Sequence, residues 1–155
     1  MHKLRLFLLF LLFHLTVFSQ DAMQKDSIKV IFQNEISFYY NSDSILVEIS
    51  SNGIDSLFSL IKSHSDYQCY LYVHTGLRGD YQHNFNLSQK RADKLKAALL
   101  EKLDSSYIIV AVGKGESENL YTYEEVKEQY SCDGVLINKS VKPKSNRRIE
   151  VILYK

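Results

Sequence analysis

The chain has 155 residues, of which 45% are hydrophobic and 24% are charged; this balance is typical of one globular domain with a modest core and excludes an extensively disordered chain. Its formal net charge is +1. Loss of Lys3 and Arg5 with an N-terminal leader would leave 17 basic residues (19 minus 2) against 18 acidic ones, a charge of −1. A near-neutral chain lacks the strong basic field that favours nucleic acid, so we expect no nucleic-acid partner.

Residues 1–19 have the pattern of a cleaved secretory signal peptide. Lys3 and Arg5 are followed by an apolar run, and Val17-Phe18-Ser19 places small residues where a signal peptidase cuts. The alternative is an uncleaved anchor, but polar residues interrupt the run, which falls short of the roughly 20 apolar residues that span a bilayer. We expect an exported protein with no membrane-spanning segment after cleavage, and a short linker at 20–27.

Predicted strands and helices alternate through the rest of the chain. Residues 27–40 are rich in β-branched and aromatic residues, which favours a strand or a bent strand pair. Apolar spacing after Ser51-Asn52-Gly53 predicts a first helix over 54–64. The remaining predictions are a strand over 68–74, a helix from Asn84 or Asn86 to Leu103, a strand over 107–112 ended by Gly113-Lys114-Gly115, and a strand over 148–154.

This order predicts an α+β fold, because connections through helices produce parallel or mixed strand pairing with helices covering a sheet face. We expect one β-α-β-α-β-β sandwich domain over 28–155, with a mixed parallel and antiparallel sheet and its helices on one face. Residues 116–145 form a long polar segment, with a short helix predicted over 123–130. A connection of this length is usually functional or mobile.

The two cysteines, Cys69 and Cys132, are candidates for one disulfide in an oxidising compartment. The alternative is that Cys69 is simply buried, because it alternates with Leu71 and Val73 on one face of a predicted strand. The histidines have no metal-ligand spacing, and no catalytic or nucleotide-binding motif is present, so we expect no metal, no cofactor and no enzyme activity.

Arg91 occupies an unexpected position on the second predicted helix. At 100° per residue it falls within the apolar arc that includes Leu95 and Leu99, one turn or so after the helix begins. A guanidinium there could reach water or pair with an internal carboxylate. It could also receive an external anion, because a partly buried guanidinium needs an anionic partner and its rigid fork matches a carboxylate.

Five motifs, in order and spacing, resemble the OmpA-like peptidoglycan-binding domain, also described as OmpA C-terminal or MotB-like. They are Ile36-x-Phe38 with Asn41, V-H-T-x-x-x-G over 73–79, N-x-x-L-S-x-x-R-A over 84–92, Gly113-x-Gly115-Glu116, and N-R-R-I-E over 146–150. The resemblance implies a noncatalytic module that binds the diaminopimelate of a peptidoglycan stem peptide, with the residue that Arg91 matches receiving its carboxylate.

One departure from the family pattern concerns the ligand's amine. The family usually has aspartate after His-Thr, where it grips the amino-acid head together with the arginine, and this chain has Gly76. Asp80 is the nearest substitute in sequence. Loss of one charged hydrogen-bonding group costs about 1.5–3 kcal/mol, or about 10- to 150-fold in affinity.

The resemblance implies further site residues. Asn84 matches the family's asparagine before the helix, although an N-cap or loop brace is an equal alternative. Asn41 matches a ligand-lining position, and Thr75 would offer its hydroxyl or backbone N–H, while His74 braces the strand end. Because side chains alternate along a strand, one of two consecutive arginines should face the pocket; we predict Arg147 for the pocket and Arg148 for solvent.

The leading hypothesis is an exported, noncatalytic domain in the periplasm of a Gram-negative bacterium that binds peptidoglycan through Arg91. Association with the outer membrane would require an envelope protein partner. The second hypothesis is a degenerate domain that has lost wall binding with the aspartate and serves as a protein-interaction or structural module. A third, an envelope hydrolase using Asp80 and Glu116, requires two facing carboxylates at a cleft.

Overall fold

The computed structural model describes residues 26–104, 106–129, 138 and 145–155. The elements, in chain order, are β1 (Ser27–Phe32), α1 (Val47–Lys62), β2 (Gln68–His74), α2 (Tyr81–Leu100), β3 (Ile109–Gly115), α3 (Tyr123–Lys127) and β4 (Arg148–Tyr154). The predicted signal peptide, Cys132 and most of the segment after Gln129 lie outside the described residues, as does most of the predicted linker.

The four strands form one mixed sheet in the order β1-β4-β2-β3. β4 pairs antiparallel with both β1 and β2, whereas β2 and β3 are parallel. The parallel pair is connected through α2, as expected for a crossover between parallel strands. The predicted α+β fold with a mixed sheet is confirmed.

The hydrophobic core lies between the sheet and helices α1 and α2. Each helix contributes residues at helical spacing, and β2 and β4 contribute alternate residues from one face. The fully buried side chains of this core are Leu57, Leu95, Leu99, Leu71, Val73, Val151 and Leu153. The same face of β2 carries Cys69, which is a free thiol and only 1% exposed. Burial raises the pKa of this thiol to about 12. Because Cys132 lies outside the described residues, the disulfide between the two cysteines stays a prediction.

Helix α2 lies unusually close to β3. A β-carbon on Gly113 would come within 2.2 Å of the backbone nitrogen of Gln89, so only glycine fits there. The Gly113 N–H donates to Gln89 Oε1 at 2.8 Å, and the Gly115 N–H donates to Ser88 Oγ at 2.8 Å. These contacts place the first half of α2 against the end of β3. The prediction that Gly113-Lys114-Gly115 ends the strand was therefore wrong, because β3 continues through these residues and its glycine amides are bonded to side chains of the helix.

Helix α1 begins at Val47, well before the predicted residue 54, and Ser51-Asn52-Gly53 lie inside it. Gly53, which looked like part of a cap, is buried and serves packing instead, whereas Ser51 and Asn52 are exposed. A β-carbon on Gly53 would lie 2.1 Å from the carbonyl oxygen of Glu35, so glycine permits the preceding loop to approach the helix. Ser50 Oγ accepts from the Ser37 N–H and donates to the Ser37 carbonyl, which ties the same loop to α1.

Candidate functional site

The loop between β1 and α1 forms one wall of the candidate site. Phe38 and Ile45 make an isolated antiparallel bridge, and the Tyr39 N–H donates to the Ser44 carbonyl at 3.0 Å. Asn41, at the tip, has a φ of 49°, a left-handed conformation that asparagine tolerates better than most residues. The tight turn leaves the Tyr39 and Ser42 carbonyls available to face α2.

Arg91 fills the space between this loop and α2. Its Nε donates to the Ser42 carbonyl at 2.8 Å and its Nη2 donates to the Tyr39 carbonyl at 3.2 Å. The guanidinium carbon lies 5.0 Å from the centre of the Phe38 ring, within the range of a cation–π contact. Three contacts from one loop therefore fix the orientation of the guanidinium.

Within the part of the chain that the structure describes, no ion pair neutralises the charge of Arg91. Among the described residues, no carboxylate lies within 4 Å of its guanidinium. Burial, followed by the charge of Arg147, lowers the pKa of Arg91, and the charge of Asp43 opposes this shift. A guanidinium has five N–H donors and the two carbonyls use two of them, so donors remain for an anion.

Gly76 and Arg147 meet at the second wall of the site. The Arg147 Nε lies 3.3 Å from the position that a β-carbon on residue 76 would take, and its Cγ lies 3.7 Å from it. Arg147 is exposed, and its backbone N–H donates to Ser145 Oγ at 3.1 Å. A second cationic side chain therefore lies over the residue where the family usually has a carboxylate.

Thr75 follows the last residue of β2 and directly precedes Gly76. Its backbone N–H donates to the Gly115 carbonyl at 2.8 Å, so that N–H is already used by the sheet. Its side chain is buried, and within the described part of the chain the hydroxyl has no hydrogen-bond partner. The hydroxyl, rather than the N–H, is the group that Thr75 could offer to a ligand.

Behind the site, a buried polar cluster closes the sheet end. Arg148 is only 4% exposed; its Nε donates to Glu150 Oε1 at 2.7 Å and its Nη2 donates to the Glu118 carbonyl at 2.8 Å. The expectation that Arg148 faces solvent was wrong. Its guanidinium is buried because the Glu150 carboxylate and two backbone carbonyls accept hydrogen bonds from it. Burial alone would raise the pKa of Glu150, but hydrogen bonds from Lys29 and Arg148 hold it below its ordinary value.

His74 is part of this cluster. It is 3% exposed, and its Nε2 lies 3.8 Å from Glu150 Oε1. Burial, and then the charge of Arg148, lower the pKa of His74 from 6.5 to about 4, although Glu150 and Glu118 oppose the shift. His74 is therefore neutral at pH 7. Among the described residues neither of its ring nitrogens has a hydrogen-bond partner, so its bracing role stays a prediction.

Asp80 and Asn84 set the start of α2. Asp80 is the N-cap, and its Oδ1 accepts from the His83 N–H at 3.0 Å. The helix consequently begins at Tyr81, earlier than expected from Asn84 or Asn86. Asn84 is buried and donates from Nδ2 to the Arg78 carbonyl at 3.1 Å and to Glu116 Oε2 at 2.8 Å. Asn84 thus braces the loop, which was one of its two expected roles.

These hydrogen bonds bear on two roles proposed from the sequence: Asp80 as a substitute for the missing aspartate, and Asp80 with Glu116 as the carboxylates of a hydrolase. Asp80 caps α2 through Oδ1 and forms no described ion pair with Arg91, so its role as a substitute for the missing aspartate stays a prediction. Glu116 is engaged with Asn84, so Asp80 and Glu116 each hold local structure rather than facing each other as an acid and base pair. Within the described ranges, no three His, Cys, Asp or Glu side chains are placed to hold a metal ion.

A comparison with protein families matches residues 38–131 to the family described as the OmpA family. This match spans more than half of the chain. The chain belongs to the OmpA family. The order of the motifs around His74, Arg91 and Asn146 had indicated this membership, and the comparison confirms it.

Individual relatives of this OmpA-family chain carry names from the bacterial envelope. A peptidoglycan-associated lipoprotein from Buchnera aphidicola subsp. Baizongia pistaciae is 32% identical over 104 residues, which are 67% of this chain and 60% of the relative. The chain therefore spans less than two thirds of that relative's length.

Solved structures share the fold at lower identity. The cell wall anchor of the T6SS from Pseudomonas aeruginosa is 18% identical, with a TM-score of 0.59 over 89% of this chain and 92% of that one. The peptidoglycan-associated lipoprotein from Burkholderia pseudomallei is 20% identical, with a TM-score of 0.51 over 81% of this chain and 88% of that one.

Within the family frame, the structure brings some predicted site residues together and separates others. Arg147 lies over Gly76, which follows Thr75, and its charge acts on Arg91, whereas Asp80 and Asn84 hold the start of α2. Asn41 Oδ1 lies 2.7 Å from His83 Nε2 and accepts from it in the tautomer that carries the proton there, which links the loop tip to α2.

The sequence did not predict the roles of Phe38, His83 and the Tyr39 and Ser42 carbonyls.

The described part of the segment after Glu116 forms a groove of about 410 Å³ with Leu77, which follows Gly76. Its other lining residues are Asn119, Leu120, Tyr121, Thr122, Tyr123 and Glu125. In the described ranges, no helix has both the length and the apolar character needed to cross a bilayer.

Proposed function

We propose that this chain is a noncatalytic peptidoglycan-binding module of the cell envelope, with Arg91 as its principal anion receptor. The observation that carries the proposal is the half-buried Arg91 guanidinium, oriented by two carbonyls and the Phe38 ring and left without a described carboxylate partner. A charge held in this way has donors directed at a ligand, and a carboxylate matches them in geometry and charge.

The ligand of this proposal is a stem peptide that contains diaminopimelate. A carboxylate of the ligand would bind Arg91, the Thr75 hydroxyl would donate or accept beside it, and Arg147 would add a second positive charge. Membership of the OmpA family and the wall-associated names of relatives support this choice. The setting proposed with it is the periplasm of a Gram-negative bacterium, reached by a cleaved signal peptide.

A second candidate function has its own supporting observation. Gly76 replaces the family's aspartate, and Arg147 lies over that position. If wall binding has been lost with the aspartate, the fold would serve as an interaction or structural module for another envelope protein. The groove between Leu77 and the residues after Asn119 would then be the surface to examine.

Co-sedimentation with purified peptidoglycan sacculi distinguishes the two functions. The variants are Arg91→Gln, which removes the charge, and Lys94→Gln, which removes an exposed charge three residues along the same helix. Wall binding predicts that wild type and Lys94→Gln sediment with sacculi and that Arg91→Gln stays in solution. Failure of folded wild-type protein to sediment would exclude wall binding and favour the interaction module. Circular dichroism establishes that each variant is folded.

A further inference from the structure

Two guanidinium groups belong to the candidate site, where the ammonium of a ligand would also have to bind. Arg91 is held by the loop carbonyls, and Arg147 lies over Gly76. Their charges act on one another, because Arg147 lowers the pKa of Arg91. Among the described residues, neither guanidinium has a carboxylate within 4 Å.

A free amino-acid head carries a carboxylate and a neighbouring ammonium. The carboxylate can bind the two guanidinium groups, but the ammonium would then lie beside like charges, which is unfavourable. Asp43 is the carboxylate whose charge reaches Arg91, yet it forms no ion pair with it. The Thr75 hydroxyl is buried and without a described partner, so it can pair with a neutral N–H or C=O as well as with a charge.

We propose that this site selects a carboxylate whose neighbouring amine is uncharged, because it is acylated or absent, over a free zwitterionic head. In a wall peptide, an amine loses its charge when a neighbouring peptide acylates it. Arg147 is the residue that sets this preference, and Gly76 leaves the room that the Arg147 side chain occupies. The inference rests on the proposed function, because it names the ligand class of the same site.

Three small ligands form a matched series for the test. Diaminopimelate has two carboxylates and two ammonium groups, its N,N′-diacetyl derivative has acylated amines, and heptanedioate has the same carbon chain without amines. Each is titrated into the whole mature domain at pH 7.5 and followed by amide NMR shifts. We expect the diacetyl derivative and heptanedioate to bind about three- to tenfold more tightly than diaminopimelate, a range that allows for solvent screening at exposed Arg147.

Two variants connect the preference to Arg147. Arg147→Gln should remove most of the preference, and Lys94→Gln, at an exposed position outside the site, should retain it. Tighter binding of free diaminopimelate than of the other two ligands would overturn the inference, and loss of that advantage in Asp43→Asn would assign the ammonium to Asp43. Absence of shifts with all three ligands would also overturn it.

The sacculus experiment separates this inference from the proposed function. If wild type sediments with sacculi but prefers free diaminopimelate, the function stands and the selectivity is wrong. If the domain prefers the uncharged-amine ligands but does not sediment with sacculi, the selectivity stands and the wall-binding function is wrong. The sedimentation result therefore tests wall binding, and the ligand series tests the selectivity, each independently of the other.

Discussion

The Arg147 side chain covers Gly76, with its Nε 3.3 Å from the position that a β-carbon on residue 76 would take. The contact joins the end of β2 to the start of β4 at the mouth of the candidate site. Because the neighbouring atoms belong to an exposed, flexible side chain, a larger residue at 76 can be accommodated by movement of Arg147. The site can therefore be altered at this position without disturbing the core.

Gly76→Asp should restore a carboxylate beside Arg147 and Arg91 and strengthen binding of a free diaminopimelate head. We expect roughly a tenfold gain in affinity, which is the lower end of the effect of one hydrogen bond to a charged group. The new carboxylate would also pair with Arg147, so the gain should be larger when Arg147→Gln is added. Isothermal titration measures both, with Gly76→Asn as the uncharged control. Unchanged or weaker binding of free diaminopimelate by Gly76→Asp would contradict this account of the site.

Arg91→Lys should weaken both folding and ligand binding while keeping the positive charge. Lysine cannot reproduce the fork that donates to the Ser42 and Tyr39 carbonyls, and it is a poorer partner for the carboxylate. We expect a loss of about 1–2 kcal/mol in the free energy of unfolding, measured by urea denaturation. A variant with wild-type stability would mean that the two carbonyl contacts contribute nothing net. Lys94→Gln, which alters an exposed charge, provides the comparison.

His74 should make the domain less stable as the pH falls from about 6.5 to about 4. The pKa of His74 is lowered to about 4 by burial and by Arg148, so in this interval the unfolded chain binds a proton that the folded chain does not. The loss should approach about 3 kcal/mol at the low end. Urea denaturation across this interval measures it, and His74→Gln should have a flatter profile. Identical profiles for the variant and wild type would assign the pH dependence to other groups.

Gly113→Ala should destabilise the fold strongly. The added β-carbon would come within 2.2 Å of the Gln89 backbone nitrogen, and a helix backbone cannot move aside as a side chain can. We expect a loss of at least about 3 kcal/mol in the free energy of unfolding or failure to fold. Gly76→Ala is the matched control, because its new β-carbon meets only the Arg147 side chain. Comparable stability of the two variants would contradict the close approach of α2 to β3.

The sequence was sufficient for the parts of the fold that depend on local pattern. Alternation predicted β2 and β4, and the spacing of Leu95 and Leu99 predicted most of α2. The predicted starts of the helices were less accurate, because a capping residue is recognised only from the hydrogen bonds that it makes in the folded chain. Asp80, not Asn84, caps α2, and α1 begins at Val47 with no side-chain cap at all. Gly53 resembled a turn residue but permits contact with Glu35 across the chain.

The candidate site was predictable in its central residue but not in its surroundings. Helical geometry identified Arg91 as a cation on an apolar face, and the motif gave it a role. Its carbonyl partners, Ser42 and Tyr39, lie 49 and 52 residues away in sequence, so no local pattern connects them to it. The same limit applied to Arg148, whose internal partners in the folded chain bury a side chain that was expected to face solvent.

Amide NMR mapping with a stem peptide that contains diaminopimelate tests the central claim most directly. The claim is that the wall ligand binds between Arg91 and Arg147. It predicts shifts concentrated at 38–43, at 75–77, at Arg147 and along the first three turns of α2, all of which are lost in Arg91→Gln while the rest of the spectrum is retained. Shifts confined to the groove lined by Leu77 and residues 119–125, or shifts that persist in Arg91→Gln, would contradict it.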